Sequence, residues 1–180
     1  MKRVNNLMLG AMGAALALGL AGQACAQNSS QQTTTATGTI FQPIQLAKNS
    51  DLSFGTVVRP AAGSGTVFIA NANGARTLTG SGALLATGPN ATAGRAAYTV
   101  TGEGGQTFSI TVPANFNMTR TGGSETIQVT LTPTATTGTM SSTLGNTGTA
   151  TFGVGGSMPV ADTTASGAYV GTFNVIVAYN

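Results

Sequence analysis

The closing stretch of the chain limits its possible folds more than any other feature. From Tyr169 onward, every second residue is apolar or glycine: Tyr169, Gly171, Phe173, Val175, Val177 and Tyr179. A period of two carried by β-branched and aromatic side chains predicts one long strand with a buried face. The pattern persists to within one residue of Asn180, where chains usually fray. So apolar an end has to be held in a sheet, by its own domain or by a partner.

Similar strand signals recur upstream, separated by turn residues. Residues 37–46 read as a first strand, with Ile40, Ile44 and Leu46 on one parity and Pro43 marking an edge or a bulge. Residues 51–58 read as a second and 65–71 as a third. Asn73-Gly74 then supplies a hairpin turn, with residues 76–79 as the returning partner. Residues 96–101 and 107–112 flank Gly102-Glu-Gly-Gly-Gln106, which predicts a hairpin. Residues 117–121 and 126–132 flank Gly122-Gly-Ser124, which predicts another. The Thr/Gly/Ser-rich residues 134–148 are expected as an exposed loop or weak edge strands. Two further strands, 149–154 and 157–160, are expected on either side of Gly153-Val-Gly-Gly156, a bulge or tight turn. No helical period follows residue 26, and no fixed-length repeat occurs. The expected fold is all-β: an antiparallel immunoglobulin-like β-sandwich, completed within the chain or by a donated strand.

The first residues carry an export pattern. Lys2 and Arg3 precede an apolar run from Leu7 to Leu20, and Ala24-Cys25-Ala26 fits small-x-small cleavage before Gln27. Acylation of Cys25 is the rival reading, but Gly22 and Gln23 are poor lipobox residues. The expected organisation is a cleaved signal peptide (1–26), a polar flexible leader (27–36) and a single sandwich domain (37–180). Residues 27–180 hold five bases (Lys48, Arg59, Arg76, Arg95, Arg120) against four acids (Asp51, Glu103, Glu125, Asp162). Without a basic cluster there is no electrostatic footprint for nucleic acid. With Cys25 the only cysteine, the mature chain has no disulfide. No second apolar run reaches transmembrane length. The expected route leads through the periplasm to the cell surface or the extracellular space of a Gram-negative bacterium.

Catalytic chemistry is poorly provisioned. The chain has no histidine and, after cleavage, no cysteine, so Ser-His pairing, His- or Cys-ligated metals and thiolate nucleophiles have no residues to use. Lys48 beside Asn49-Ser-Asp51 reads as a turn residue. The four carboxylates read as turn or surface groups: Glu103 at a hairpin tip, Glu125 beside a Gly-Gly turn, Asp51 and Asp162 where strands begin. They neither cluster for calcium nor suggest a glycosidase pair. Gly153-Val-Gly-Gly156 lacks the Lys and the helix of a phosphate loop. Asn28, Asn90 and Asn117 match a glycosylation pattern that a Thr/Asn-rich chain meets by chance. The expectation is no enzyme, no cofactor and no metal.

Two resemblances refine this. The run from Gly167 to Asn180, with an aromatic at Tyr179, a glycine at Gly167 and alternating apolar residues between them, resembles the assembly signal of chaperone–usher pilus subunits. That resemblance implies an incomplete immunoglobulin-like sandwich, a periplasmic chaperone and an outer-membrane usher as partners, and completion by a neighbour's N-terminal segment. It makes Gly167, Tyr169, Gly171, Phe173, Val175, Val177 and Tyr179 an assembly strand, with Ile40, Ile44 and Leu46 as candidate donor anchors. The phrases Ile40-Phe-Gln-Pro-Ile44, Leu52-Ser-Phe-Gly-Thr-Val57, Ala97-Tyr-Thr-Val-Thr-Gly102 and Phe152-Gly-Val-Gly-Gly-Ser-Met-Pro-Val160, followed by the closing run, are similar to a bacterial exported family described as domain of unknown function 4402. That family implies an exported all-β domain and no assigned activity. The expected role is a structural subunit of a surface filament or coat, built by self-assembly or with a related subunit. The alternative is a self-contained exported module that binds a glycan or a surface protein through its Gly/Thr-rich loops.

Overall fold

The computed structural model describes residues 29–80, 84–85 and 92–180. The expected signal peptide with Cys25, and the glycosylation matches at Asn28 and Asn90, lie outside the described residues. The chain divides into two units, Met1–Gly38 and Thr39–Asn180. Of the first, residues 29–38 are exposed and without regular secondary structure.

In the second unit every described element is a strand, and every pairing is antiparallel. The strands are β1 (Gln45–Ser50), β2 (Val57–Val58), β3 (Ser64–Ile69), β4 (Arg76–Gly80), β5 (Leu84–Leu85), β6 (Ala96–Glu103) and β7 (Thr107–Thr111). There follow β8 (Asn115–Arg120), β9 (Thr126–Pro133), β10 (Thr137–Thr139), β11 (Thr147–Ala161), β12 (Tyr169–Val170) and β13 (Ile176–Tyr179). A large curled sheet runs β1-β6-β11-β9-β8-β12, with β3 also on β11 and β4 on β3. A second sheet runs β10-β7-β13, and β2 pairs β5. This is the expected all-β antiparallel class, in an arrangement compatible with an immunoglobulin-like sandwich.

Alternation builds the core. On β9, Ile127, Val129 and Leu131 point inward while Thr126, Gln128, Thr130 and Thr132 face solvent. They meet Val67 and Ile69 of β3, Tyr98 and Val100 of β6, Phe108 and Ile110 of β7, and Phe152, Val154, Met158 and Val160 of β11. The outward threonines suit the pleated surface because their branched Cβ restricts χ1 in an extended chain.

Several strands differ from the sequence expectation, each for a local reason. The expected hairpin around Gly102–Gln106 is an arch. β6 pairs β1 and β11, whereas β7 pairs β10 and β13, so the turn carries the chain from one sheet to the other. Gly153-Val-Gly-Gly156 is no turn. It lies inside the 15-residue β11, which pairs β6 through Val154 and β3 from Gly156 onward. A Cβ at Gly153 would meet the Asn71 carbonyl oxygen at 2.6 Å, and one at Gly156 the Thr130 oxygen at 2.6 Å. The missing side chains therefore let one strand bend between two partners. The first strand begins at Gln45 rather than residue 37, and residues 51–58 keep only the Ser53–Gly94 bridge and β2. The turns at 71–75 and 121–125 do join paired strands. At the former, Gly74 alone takes positive φ (75°), and the Asn73 side-chain oxygen accepts from the Ala75 N–H.

Candidate functional site

The closing run is split where the sequence predicts one strand. Tyr169 and Val170 pair with Arg120 and Thr119, and Ile176 to Tyr179 pair with Thr111 to Phe108. Between these ladders, residues 171–175 of the run face residues 112–118 of β7–β8, so the partner is two residues longer. Pro113, which cannot donate to a ladder, sits in that longer stretch. Gly171 passes so close to β8 that a Cβ there would lie 2.5 Å from the Asn117 carbonyl oxygen. The parity survives the break: Tyr169, Phe173, Val175, Val177 and Tyr179 are half-buried, and the residues between them exposed. Gly171 is exposed. Gly167 lies in the loop before β12 with φ of 151°, against the Arg120 side chain.

None of the five reaches the full burial of the core strands, and the part of the run from Tyr169 to Phe173 borders a groove. β1 and β12 end the main path of the curled sheet, and both line the same cavity. One part, of about 390 Å³, has Lys48 and Leu52 on one wall, residues 170–173 on the other, and Tyr98 and Phe116 below. A second part, of about 550 Å³, continues past Met118 and Ile127 to Met158 and Val160. Leu52, Phe54, Met118 and Tyr169 line both. Aromatic pairs firm the floor: Phe116 against Phe173 and Tyr98 stacked on Phe152, each at 5.1 Å. Burial pushes the Tyr98 phenol above its ordinary pKa. At the rim the Lys48 ammonium donates to Asp51, whose hydrogen bond and charge raise the lysine pKa.

The candidate donor anchors fall in different surroundings. Leu46 lies in β1 opposite Val100, and Ile44 packs on the core just before it. Ile40 is 94% exposed. Beyond it, the closing run meets the start of the domain: the Tyr179 hydroxyl donates to the Gln42 carbonyl at 2.9 Å and accepts the Glu103 N–H at 2.6 Å. Glu103 corrects the surface reading. Its side chain is 2% exposed, taking the Gly145 N–H at 2.5 Å and the Gln42 N–H at 3.1 Å. Sequence reasoning missed this because the contacts span 42 and 61 residues. Asp51 and Glu125 have local partners, Lys48 and Arg120, whereas Asp162 accepts the Gly63 N–H across 99 residues. Among the described residues no three metal-ligating side chains come together, and no helix is long and apolar enough to cross a membrane.

The model of a family described as a domain of unknown function, DUF4402, matches residues 44–179. The chain belongs to the DUF4402 family. The match begins at Ile44, beside the first strand of the curled sheet, and ends at Tyr179, so the DUF4402 region takes in both walls of the groove. Neither the curated proteins nor the solved structures contain a match.

Proposed function

We propose that this DUF4402 chain is an exported, non-enzymatic structural subunit of a surface filament or coat, joined to its neighbour by β-strand donation. The observation that carries the reading is the groove, a cleft with a free strand edge on each side and half-buried apolar side chains along it. An extended segment laid there would take main-chain hydrogen bonds from the edges and put alternate side chains into the cleft. Covering the remaining half of a Val- or Phe-sized side chain stabilises by about 1 kcal/mol. Leu52, Phe116, Met118, Tyr169 and Phe173, which are half-buried and line the groove, together would contribute on the order of 5 kcal/mol as an upper bound, comparable to the net stability of a small domain. Ile40 supports the same reading from the donor side, as a large apolar side chain beyond a Thr-rich exposed segment of strand-forming composition.

The export pattern of residues 1–26 makes the periplasm the place of folding and the cell surface the destination. A chaperone that covers the groove in transit and an usher that exchanges it are the partners such a route requires. The test is electrophoresis of surface material without boiling. A ladder that collapses to monomer on boiling, and is lost when residues 29–41 are deleted, is the expected result. That deletion spares Ile44 and Leu46, which serve the chain's own core. A monomer band under both conditions overturns the proposal.

A further inference from the structure

Residues 39–44, the lead-in to β1, belong to no strand. Their polar ties converge on one place. The Gln42 N–H donates to Glu103 Oε2 (3.1 Å), the Gln42 carbonyl accepts from the Tyr179 hydroxyl (2.9 Å), and Gln42 Oε1 accepts from the Thr147 hydroxyl (2.9 Å). The Phe41 ring adds an edge contact to Tyr179, with centroids 5.8 Å apart. On the other side of the carboxylate, Glu103 Oε1 takes the Gly145 N–H, and the Glu103 N–H holds the Tyr179 oxygen. Gly102 makes room for this, since a Cβ there would collide with the Tyr179 hydroxyl. Neither ion pair among the described residues involves Glu103. A carboxylate so buried, held by N–H donors without a cation, is costly to leave half-satisfied.

We infer that the Glu103 carboxylate and the Tyr179 hydroxyl form a clasp that couples the lead-in to β13, so that the two are released together. β13 has a ladder only to β7 and the lead-in has none, so this node is the direct polar connection between them. The consequence rests on the strand-donation reading. While the clasp is closed, the segment bearing Ile40 is held at Gln42 and β13 is pinned at Tyr179. Opening it frees the donor segment and the end of β13 in one event, which restrains association until a partner competes for the donor.

Hydrogen exchange on the monomer tests the clasp without requiring assembly. Tyr179→Phe keeps the ring and removes only the hydroxyl; Thr147→Val removes only the Gln42 side-chain tie. With Tyr179→Phe, the amides of Gln42 and of residues 176–180 are expected to exchange about tenfold faster, together, while those of β9 and β11 keep their rates. Thr147→Val is expected to leave residues 176–180 unchanged. Acceleration confined to residues 176–180 in Tyr179→Phe, or equal acceleration there in Thr147→Val, overturns the clasp. Ladder formation by the same proteins separates the two ideas. Coupled exchange without any ladder upholds the clasp and sinks the filament. Ladders without coupled exchange do the reverse.

Discussion

A methyl group added at Gly155 would collide with the Ile69 carbonyl oxygen and lie 2.6 Å from the Asn71 nitrogen and 2.9 Å from the Ala70 carbonyl carbon. All three are backbone atoms of the neighbouring strand and turn, so no side chain can swing aside. Gly155→Ala is therefore expected to destabilise by roughly 3 kcal/mol, the upper end of the usual range for an overpacked core, seen as a lower urea midpoint at unchanged slope. Gly145 gives the contrast. Nothing lies within 4 Å of its Cβ position, but its φ is +90°, so alanine there is expected to cost only about 1–2 kcal/mol, from left-handed strain. A charge prediction belongs to the same scale. The Glu125 backbone N–H and then the Arg120 guanidinium hold the Glu125 carboxyl below its usual pKa. A lowered folded pKa gives stability that is present above the unfolded value and lost as pH falls through the folded one. Glu125→Gln should thus lower the melting temperature slightly at neutral pH, and the two melting curves should converge as pH falls through the lowered folded pKa.

At the scale of the element, the closing run shows why a period of two identifies a face more reliably than it identifies a strand. Side-chain parity needs only an extended chain, and residues 171–175 remain extended enough to keep Phe173 and Val175 on the half-buried side. Hydrogen-bonded pairing also needs a partner of matching length, and Pro113 and the extra residues of the β7–β8 crossing deny it. That information sits more than fifty residues upstream. The same limit explains the arch at Gly102–Gln106. Two strands around a Gly-rich turn look identical in sequence whether they pair with each other or face each other across a core. The hairpins at 71–75 and 121–125 were legible because their partners are adjacent and their turns carry their own chemistry. The groove was legible on its tail side only; Leu52, Phe54, Phe116 and Met118 enter it through long-range contacts. The split also gives a prediction specific to β12. Val170 is 65% exposed and lines the groove, so Val170→Lys should change monomer stability by no more than about 0.5 kcal/mol. The same charge should abolish the unboiled ladder, because a desolvated cation would lie against the incoming strand.

For the whole molecule, the uncovered groove makes stability depend on what fills it. The curled sheet leaves the outer edges of β1 and β12 unpaired on either side of a cleft, while β6, β9 and β11 are buried to the level of an ordinary core. Such a molecule has free energy still to gain from a ligand that adds a strand. Anything that binds only the folded state stabilises it by RT ln(1 + [L]/Kd), about 2.7 kcal/mol at a hundredfold excess over Kd. For a chain of this size that corresponds to a rise in melting temperature of roughly 5–10 °C. A synthetic peptide of residues 29–41 supplied to the monomer lacking those residues is expected to give that rise. A peptide with Ile40 exchanged for serine should give little of it, since the added strand would then bring its main-chain bonds without its anchor. Equal shifts from both peptides would mean that the groove holds backbone without reading side chains. No shift from either, even at millimolar concentration, would mean that the free edges are already protected within the fold, and the filament reading would lose its physical basis.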